Sequence, residues 1–331
     1  MAADAPLLDV EGLRVEFRTT RGTANVLSDV GFSLNRGETL GIVGESGCGK
    51  SMTALAVLRL IPSPPGRISG GRIRLRGEDL LRASEARMRE VRGNEISMIF
   101  QEPMTSLNPV FTVGDQISES LRLHGGLRGA RARARVLDML RAVGIPAAER
   151  RIDQYPHQMS GGMRQRVMIA MALACRPAVL IADEPTTALD VTVQAQIFDL
   201  LRELQASQGT AIVLITHDMG AISEMADRVV VMYGGRVVEE GSAEAILARP
   251  GHPYTQGLIA CLPALGGDVP EARTPLAEIP GVVPPLWELQ HGCPFAQRCS
   301  RALPRCASEM PPAFETAPAH RAACWLHSDQ A

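Results

Sequence analysis

A glycine-rich segment with a single lysine is the part of the sequence best suited to phosphate chemistry. The segment GESGCGKS fits the pattern G-x-x-x-x-G-K-[ST], and its members are Gly44, Glu45, Ser46, Gly47, Cys48, Gly49, Lys50 and Ser51. Glycines let backbone N–H groups turn toward phosphates, a lysine reaches the β and γ oxygens, and a serine hydroxyl can bind Mg²⁺. Lys50 is the one lysine among 34 basic residues, so this position selects a compact ammonium group. The segment therefore predicts a site for nucleotide phosphates and Mg²⁺.

Two adjacent carboxylates supply the acidic half of such a site. Asp183 and Glu184 directly follow the apolar run 179–182. We expect Asp183 to bind Mg²⁺ directly or through water, and Glu184 to activate the attacking water as a general base. The alternative is that both carboxylates only cap the loop that follows the strand.

The elements that must position these residues alternate between strands and helices. Alternating apolar residues predict strands over 7–18 and 26–34, and a strand at 39–43 leads through the glycine-rich segment into a helix over 51–60. Helical periodicity covers 113–174. Apolar runs at 179–182 and 211–216, separated by a helix over 191–205, predict parallel strands, and a Gly-Gly turn joins strands at 228–233 and 236–239. The predicted fold class is α/β, followed by a small, irregular, cysteine-rich C-terminal module.

Composition narrows the classes of function. The 331 residues have a net charge of −2 and 45% hydrophobic residues, so disorder and a general affinity for nucleic acid are not expected. The longest strongly apolar stretch, 167–175, is far shorter than the ~20 residues that a membrane span needs, and no signal pattern opens the chain. We therefore expect a cytoplasmic chain.

A third motif supports a resemblance to a known family. The segment Met159-Ser160-Gly161-Gly162-Met163-Arg164-Gln165 resembles the signature sequence of the ATP-binding subunits of ABC transporters, although the family usually has Leu at position 159 and often Gln at 163. The resemblance implies that Ser160, Gly161 and Gly162 contact the γ-phosphate of ATP bound to a second subunit. The helix N-terminus and the serine hydroxyl suit that contact.

The same resemblance assigns four further residues. Gln101 resembles the Q-loop glutamine, which binds Mg²⁺ and the attacking water and signals to the membrane subunit. Asp190 belongs to a D-loop that begins at Ala188, and His217 resembles the switch histidine, which contacts the γ-phosphate and positions the base. Phe17 resembles the aromatic residue that stacks on adenine, and a core position is the equal alternative. The resemblance implies an ABC ATPase domain over 1–245, with a helical subdomain at about 105–174, and an extension over 246–331.

Longer strings resemble the ATPases of bacterial dipeptide and oligopeptide importers. These strings are MIFQEPMTSLNP at 98–109, ADEPTTALDV at 182–191, GHPYTQGL at 251–258 and PGVVP at 280–284. The resemblance implies peripheral attachment to the cytoplasmic face of the membrane, with a second ATPase, two permeases and an extracytoplasmic binding protein as partners. Importers of nickel, glutathione or oligosaccharides, and soluble ABC ATPases that act on nucleic acid or ribosomes, are the alternatives.

Four cysteines near the C-terminus form a candidate metal site. Cys293, Cys299, Cys306 and Cys324 have the spacing C-x5-C-x6-C-x17-C. Clustered thiols in a cytosolic chain favour metal over disulfides, with unliganded thiols in a loose tail as the alternative. The resemblance to peptide-importer ATPases favours a [4Fe–4S] cluster over Zn²⁺, and a redox-sensing regulatory role is a further alternative.

Overall fold

The computed structural model describes residues 5–20, 22–101, 106–186, 189–261, 278–285 and 291–330. The chain divides into two compact units. Unit 1 consists of Met1–Leu8, Ser33–Thr39 and Arg74–Ile215, and unit 2 of Asp9–Phe32, Leu40–Ile73 and Thr216–Ala331. Each unit combines strands with helices, as the predicted α/β class requires.

Unit 1 is built on three buried parallel strands. These are β6 (Ile96–Ile99), β7 (Val179–Asp183) and β8 (Ala211–Ile215), with β7 in the middle. Every residue of the three strands is buried, which explains why their sequences are almost continuously apolar. The short strand β5 (Glu78–Asp79) pairs antiparallel with Arg74 and Leu75.

Unit 1 contains helices in the region 113–174, where helical periodicity predicts them, and on both sides of it. They are α2 (Glu85–Val91), α3 (Val113–Gly125), α4 (Gly129–Ala142), α5 (Ala148–Arg151), α6 (Gly161–Leu173) and α7 (Val191–Gln208). The helix α3 begins where the Thr112 hydroxyl accepts a hydrogen bond from the Asp115 N–H and ends at Gly126, whose φ is +64°. The buried faces of α3, α4 and α6 contact one another.

Unit 2 contains most of the first four strands. They are β1 (Leu8–Thr19), β2 (Gly22–Leu34), β3 (Thr39–Val43) and β4 (Gly66–Leu75), of which three lie in one sheet in the order β2-β1-β4. The strand β3 pairs in parallel with β9 (Arg228–Tyr233), and the Gly234-Gly235 turn joins β9 to β10 (Arg236–Ser242) as an antiparallel hairpin. Both glycines have positive φ, as a tight hairpin turn requires.

The C-terminal part of unit 2 has more regular structure than the sequence predicts. Its elements are α8 (Met219–Met225), α9 (Ala243–Ala248), α10 (Pro253–Ala260), β11 (Phe314–Ala317) and β12 (His320–Ala322), and unit 2 also contains α1 (Lys50–Val57). The strand β12 pairs antiparallel with both β10 and β11. Side-chain caps from Ser242 and His252 start α9 and α10, and helices this short have too little periodicity to be predicted. Within the described ranges, no helix has the length and apolarity needed to cross a membrane.

Candidate nucleotide-binding site

The glycine-rich segment Gly44–Ser51, the predicted phosphate loop, follows β3 in unit 2 and depends on glycine at two crowded positions. Gly44 has a φ of +150°, and a Cβ there would lie 2.3 Å from the carbonyl oxygen of Met232. Gly49 has a φ of +105°, and a Cβ there would lie 2.7 Å from Cδ2 of Leu27. The loop therefore keeps its tight path only with glycine at both positions.

Lys50 is the first residue of α1, and carbonyl groups of the phosphate loop bind its ammonium group. Its Nζ donates hydrogen bonds to the carbonyl oxygens of Gly44, at 2.7 Å, and Glu45, at 3.1 Å. The residue is only 7% exposed, so the ammonium group is confined to the loop. Ser46 and Gly47 are exposed at the tip of the loop, and Ser51 follows in the first turn of α1. The loop thus combines one fixed cation with backbone that a phosphate can approach.

Cys48 packs the inside of the loop. It is fully buried, and burial raises the pKa of its thiol. Its Sγ lies 3.8 Å from Nζ of Lys50. A buried, protonated thiol is a packing group here, not a nucleophile.

The two predicted catalytic side chains of unit 1 are in contact. Gln101 donates a hydrogen bond of 3.0 Å from Nε2 to Oε2 of Glu184. Glu184 follows the buried Asp183 at the end of β7, and its N–H donates to the carbonyl oxygen of Ile215 at 2.8 Å. Glu184 has a φ of +49°, a strained conformation of the kind that concentrates at functional sites. Glu102–Thr105, which follow Gln101 in the sequence, lie outside the described residues.

The signature segment forms the start of α6 in unit 1. The Ser160 hydroxyl caps the helix by accepting a hydrogen bond of 3.3 Å from the Met163 N–H, and Ser160 and Gly161 are exposed. Met159 is 5% exposed, so it fills the buried position that the family usually gives to Leu. Gln165, whose contact was not predicted, donates a buried hydrogen bond of 2.6 Å to the carbonyl oxygen of Pro185. This bond ties α6 to the residue that follows Glu184.

The D-loop aspartate caps the next helix of unit 1. Asp190 accepts a hydrogen bond of 2.9 Å from the Val193 N–H and starts α7. Val191, directly after it, is 84% exposed. Ala188, where the predicted D-loop begins, lies outside the described residues.

Two further predicted residues lie in unit 2 with the phosphate loop. His217 is exposed and directly precedes Asp218, the N-cap of α8. Phe17 is half-buried in β1, where its Cζ would lie 2.7 Å from a Cβ on Gly66. The ring therefore packs closely against Gly66, and its stacking on adenine stays a prediction.

The four C-terminal cysteines lie close enough to interact electrostatically. Burial raises the pKa of the Cys293 thiol to about 11, and Cys306, Cys324 and Cys299 add to that increase. The Cys293 N–H donates to the carbonyl oxygen of Cys306 at 2.8 Å. Yet nowhere in the described part of the chain are three or more His, Cys, Asp or Glu side chains arranged to hold a metal ion. The structure brings the thiols together but does not support the predicted metal site.

Two residues that the sequence analysis missed hold the second residue of the phosphate loop. Arg298 binds the carboxylate of Glu45, and the Tyr254 hydroxyl accepts a hydrogen bond from the Glu45 N–H. The one available signal is that Tyr254 belongs to the string GHPYTQGL.

Comparisons with known proteins show the family of this chain. Residues 27–187 match the family described as ABC transporter, and residues 238–306 match the family described as oligopeptide/dipeptide transporter, C-terminal region. The chain is 53% identical over 327 residues to a peptide ABC transporter ATP-binding protein of Sinorhizobium fredii, covering 98% of this chain and 96% of the relative. The chain belongs to the family of peptide ABC transporter ATP-binding proteins. A peptide import ATP-binding protein of Brucella ovis is 50% identical over 326 residues, with 96% of each chain covered.

Solved structures place this ABC transporter ATP-binding protein among the ATP-binding cassettes. The dimeric cassette MJ0796 bound to ADP and Pi matches with a TM-score of 0.65 and 26% identity, over 71% of this chain and 98% of that one. The protein cbiO1 from Clostridium perfringens, part of the ABC transporter complex cbiONQ, matches with a TM-score of 0.61 and 30% identity, over 74% of this chain and 92% of cbiO1. The chain is therefore an ATPase with the ABC fold, which confirms the predicted fold class and enzyme class.

Proposed function

We propose that this chain is the ATP-hydrolysing subunit that powers import of di- and oligopeptides through a membrane ABC transporter. The observation that carries the proposal is the match to peptide transport ATPases along 98% of the chain, including residues 238–306 outside the common ATPase region. An importer of nickel, glutathione or oligosaccharides would use the same ATP chemistry, so the ATPase region does not distinguish these solutes from peptides. The match of residues 238–306 to the oligopeptide/dipeptide transporter C-terminal region favours peptides.

The phosphate loop of unit 2 binds ATP in this proposal. Lys50 and the N–H groups of the loop bind the β- and γ-phosphates, and Phe17 stacks on adenine. The hydroxyl of Ser51, the side-chain amide oxygen of Gln101 and the carboxylate of Asp183 are the hard oxygen donors that Mg²⁺ takes, so this donor set fits the ion. These residues would hold Mg²⁺, which would neutralise charge on the phosphates.

Gln101 and Glu184, which are in contact, carry out hydrolysis in this proposal. Glu184 accepts a proton from the attacking water, and the amide of Gln101 holds the carboxylate in place, as their hydrogen bond of 3.0 Å supports. His217 contacts the γ-phosphate and orients Glu184.

A second, related ATPase completes each ATP site in this proposal. Ser160, Gly161 and Gly162 open a 13-residue helix whose exposed N-terminus suits a phosphate bound to the partner. Asp190 and the exposed Val191 lie at the start of α7, where a second ATPase would cover them. The remaining partners are two permeases, which attach the chain to the cytoplasmic face of the membrane, and an extracytoplasmic substrate-binding protein.

For the cysteine quartet we propose a [4Fe–4S] cluster, with Zn²⁺ as the alternative. Both groups take four cysteine ligands, and these four thiols lie within electrostatic range of one another, although they are not arranged to hold a metal ion. The thiols would have to lose their protons and rearrange to bind either group. Anaerobic purification with iron, sulfide and zinc analysis tests this, with Cys299→Ser as the variant and Cys175→Ser as the control. Metal-free protein, or equal metal content in both variants, would contradict it.

Affinity capture from detergent-solubilised membranes tests the transport proposal. The tagged chain is expected to bring down two integral membrane proteins and a second ATPase of similar size. Adding a peptide-loaded binding protein to that complex in vesicles should raise its rate of ATP hydrolysis. Recovery of ribosomes or nucleic acid instead would favour the soluble ABC ATPase class, and stimulation only by a non-peptide solute would remove the peptide cargo.

A further inference from the structure

Glu45 places a negative charge in the loop that must bind a negative ligand. It is the second residue of the phosphate loop, and its side chain is 29% exposed. A free carboxylate there would repel the triphosphate. Solvent would screen this repulsion only in part, because the loop is partly buried. The loop therefore needs a way to neutralise and fix this side chain.

Arg298 supplies that neutralisation from the C-terminal part of unit 2. Its Nη1 and Nη2 bind Oε2 and Oε1 of Glu45 at 2.6 and 3.0 Å, which is a bidentate pair. The arginine side chain is only 5% exposed, and its hydrogen bonds to Glu45 raise the pKa of its guanidinium group. The buried guanidinium group is therefore shielded from salt and keeps its positive charge at physiological pH.

The other donors of Arg298 are also used, so its direction is fixed. It donates to the carbonyl oxygens of Pro280 at 2.8 Å and of Ile279 and Gly281 at 3.3 Å each, and to the Tyr233 hydroxyl at 3.3 Å. A lysine could neutralise Glu45 but could not make this set of contacts, because it lacks the planar fork.

Tyr254 holds the backbone of the same loop residue. Its hydroxyl accepts a hydrogen bond of 2.7 Å from the Glu45 N–H, and burial raises the pKa of that hydroxyl, so it stays neutral. Its ring lies 4.7 Å from that of Tyr233 and 5.3 Å from that of Phe295, measured between ring centroids. This aromatic cluster packs Tyr254 and Arg298 into one support for Glu45.

A buried carboxylate fixes the segment that carries Tyr254. Glu239 accepts hydrogen bonds from the Gly251 N–H at 2.5 Å and the His252 N–H at 2.9 Å, and His252 in turn caps α10 by accepting from the Tyr254 N–H at 3.0 Å. The string GHPYTQGL thus has a physical role, which is to place the Tyr254 hydroxyl at the phosphate loop.

We infer that Arg298 is a positioning residue for nucleotide binding, which acts by neutralising Glu45 and holding its carboxylate away from the triphosphate. The C-terminal region is on this account part of the nucleotide site of its own chain. The inference uses the ATPase activity alone and is independent of what the transporter carries.

The test compares ATP affinity and steady-state hydrolysis in three variants of the full chain. Arg298→Met leaves the Glu45 carboxylate uncompensated, so we expect the Kd and KM for MgATP to rise about ten-fold while kcat changes less than about two-fold. The Kd and KM of Arg298→Lys should lie between those of the wild type and Arg298→Met. In the double variant Glu45→Gln with Arg298→Met the repulsion is gone, so affinity should return to within about three-fold of the wild type.

Arg305→Met is the matched control. Arg305 belongs to the same C-terminal region, stacks on Trp325 at 4.2 Å from the ring centroid and donates to its carbonyl oxygen at 3.0 Å. Its loss removes a similar packed arginine without touching Glu45, so ATP affinity should not change. Thermal unfolding of each variant checks that the chain is folded.

Two results would overturn the inference. Wild-type affinity in folded Arg298→Met would show that Glu45 needs no neutralising partner. Weak binding that Glu45→Gln fails to restore would show that Arg298 serves only the stability of unit 2, because a structural loss does not depend on the charge of Glu45.

Discussion

Gln101 and Glu184 are joined by a direct hydrogen bond, with 3.0 Å between Nε2 and Oε2, although 83 positions separate them in the sequence. An amide N–H that binds the carboxylate fixes the position of one of its oxygens. The pair therefore links the residue that resembles the Q-loop glutamine to the proposed general base.

Replacing Glu184 by Gln should stop hydrolysis but not binding. The amide cannot accept a proton from water, so we expect kcat to fall about a hundred-fold or more, with MgATP affinity within about three-fold of the wild type. Fluorescent nucleotide titration and phosphate release measure the two quantities. Glu203→Gln, on the exposed side of α7, is the control and should hydrolyse ATP normally. A Glu184→Gln variant that still hydrolyses ATP at the wild-type rate would remove Glu184 as the base.

The single lysine allows the phosphate loop to be probed without any substitution. An amine-reactive reagent can modify only the N-terminal amine and Lys50, since every other basic side chain except histidine is arginine. MgATP at ten times its Kd should slow modification of Lys50 about ten-fold, because most of the protein is then occupied. The N-terminal amine is the internal control and should react at an unchanged rate. Equal labelling of Lys50 with and without MgATP, measured by mass spectrometry, would argue against its phosphate role.

Gly161 distinguishes a role within the chain from a role between two chains. A Cβ at this position meets no atom within 4 Å, so Gly161→Ala should leave the free energy of unfolding unchanged or raise it by up to about 1 kcal/mol. If Gly161 contacts ATP on a second ATPase, the same methyl group should lower hydrolysis by the assembled pair about ten-fold or more. Gly125→Ala, in the last turn of α3, is the control. Full activity of the pair with Gly161→Ala would contradict the contact in trans.

His252 makes stability depend on pH in a defined window. Burial lowers the pKa of its imidazole from 6.5 to about 3, so between these values the unfolded chain takes up a proton that the folded chain does not. Its contribution is therefore fully present above pH 6.5 and is lost progressively as the pH falls toward 3. At pH 5 the loss amounts to about 2 kcal/mol.

His252→Asn tests this because Asn can still cap α10 but does not titrate. Denaturant unfolding at pH 7.5 and pH 5 should show a smaller loss of stability in His252→Asn than in the wild type. His291→Asn, at an exposed position of the same unit, should keep the wild-type pH dependence. Parallel pH dependence in all three proteins would show that His252 does not titrate in this window.

Much of the fold could be predicted because its signals are local. The apolar runs of β7 and β8 are continuous since those strands are buried on both faces, and the Gly234-Gly235 turn fixes the β9–β10 hairpin. The sequence predicts that α1 ends at position 60. In the structure the helix ends at Val57, and Arg59 has a left-handed φ of +53°. Nothing in the residue types before the Pro62–Gly66 cluster marks that earlier end.

The parts of the site that escaped prediction depend on contacts between distant residues. Arg298 and Glu45 are separated by 253 positions, and each alone is an ordinary charged residue. Likewise, the role of Gln165 depends on a carbonyl group, that of Pro185, which leaves no trace in sequence. Motifs identify groups that bind phosphate, but the residues that support those groups become visible only in the folded chain.

Peptide uptake in cells shows whether ATP hydrolysis by this chain powers peptide import. A strain that lacks this chain is complemented with the wild type, with Glu184→Gln or with Glu203→Gln, and the uptake of a labelled tripeptide is measured alongside uptake of labelled nickel. We expect the wild type and Glu203→Gln to restore tripeptide uptake and Glu184→Gln not to restore it, with nickel uptake the same in all strains. Tripeptide uptake that is equal in the deleted and complemented strains, or equal with Glu184→Gln and the wild type, would contradict this expectation.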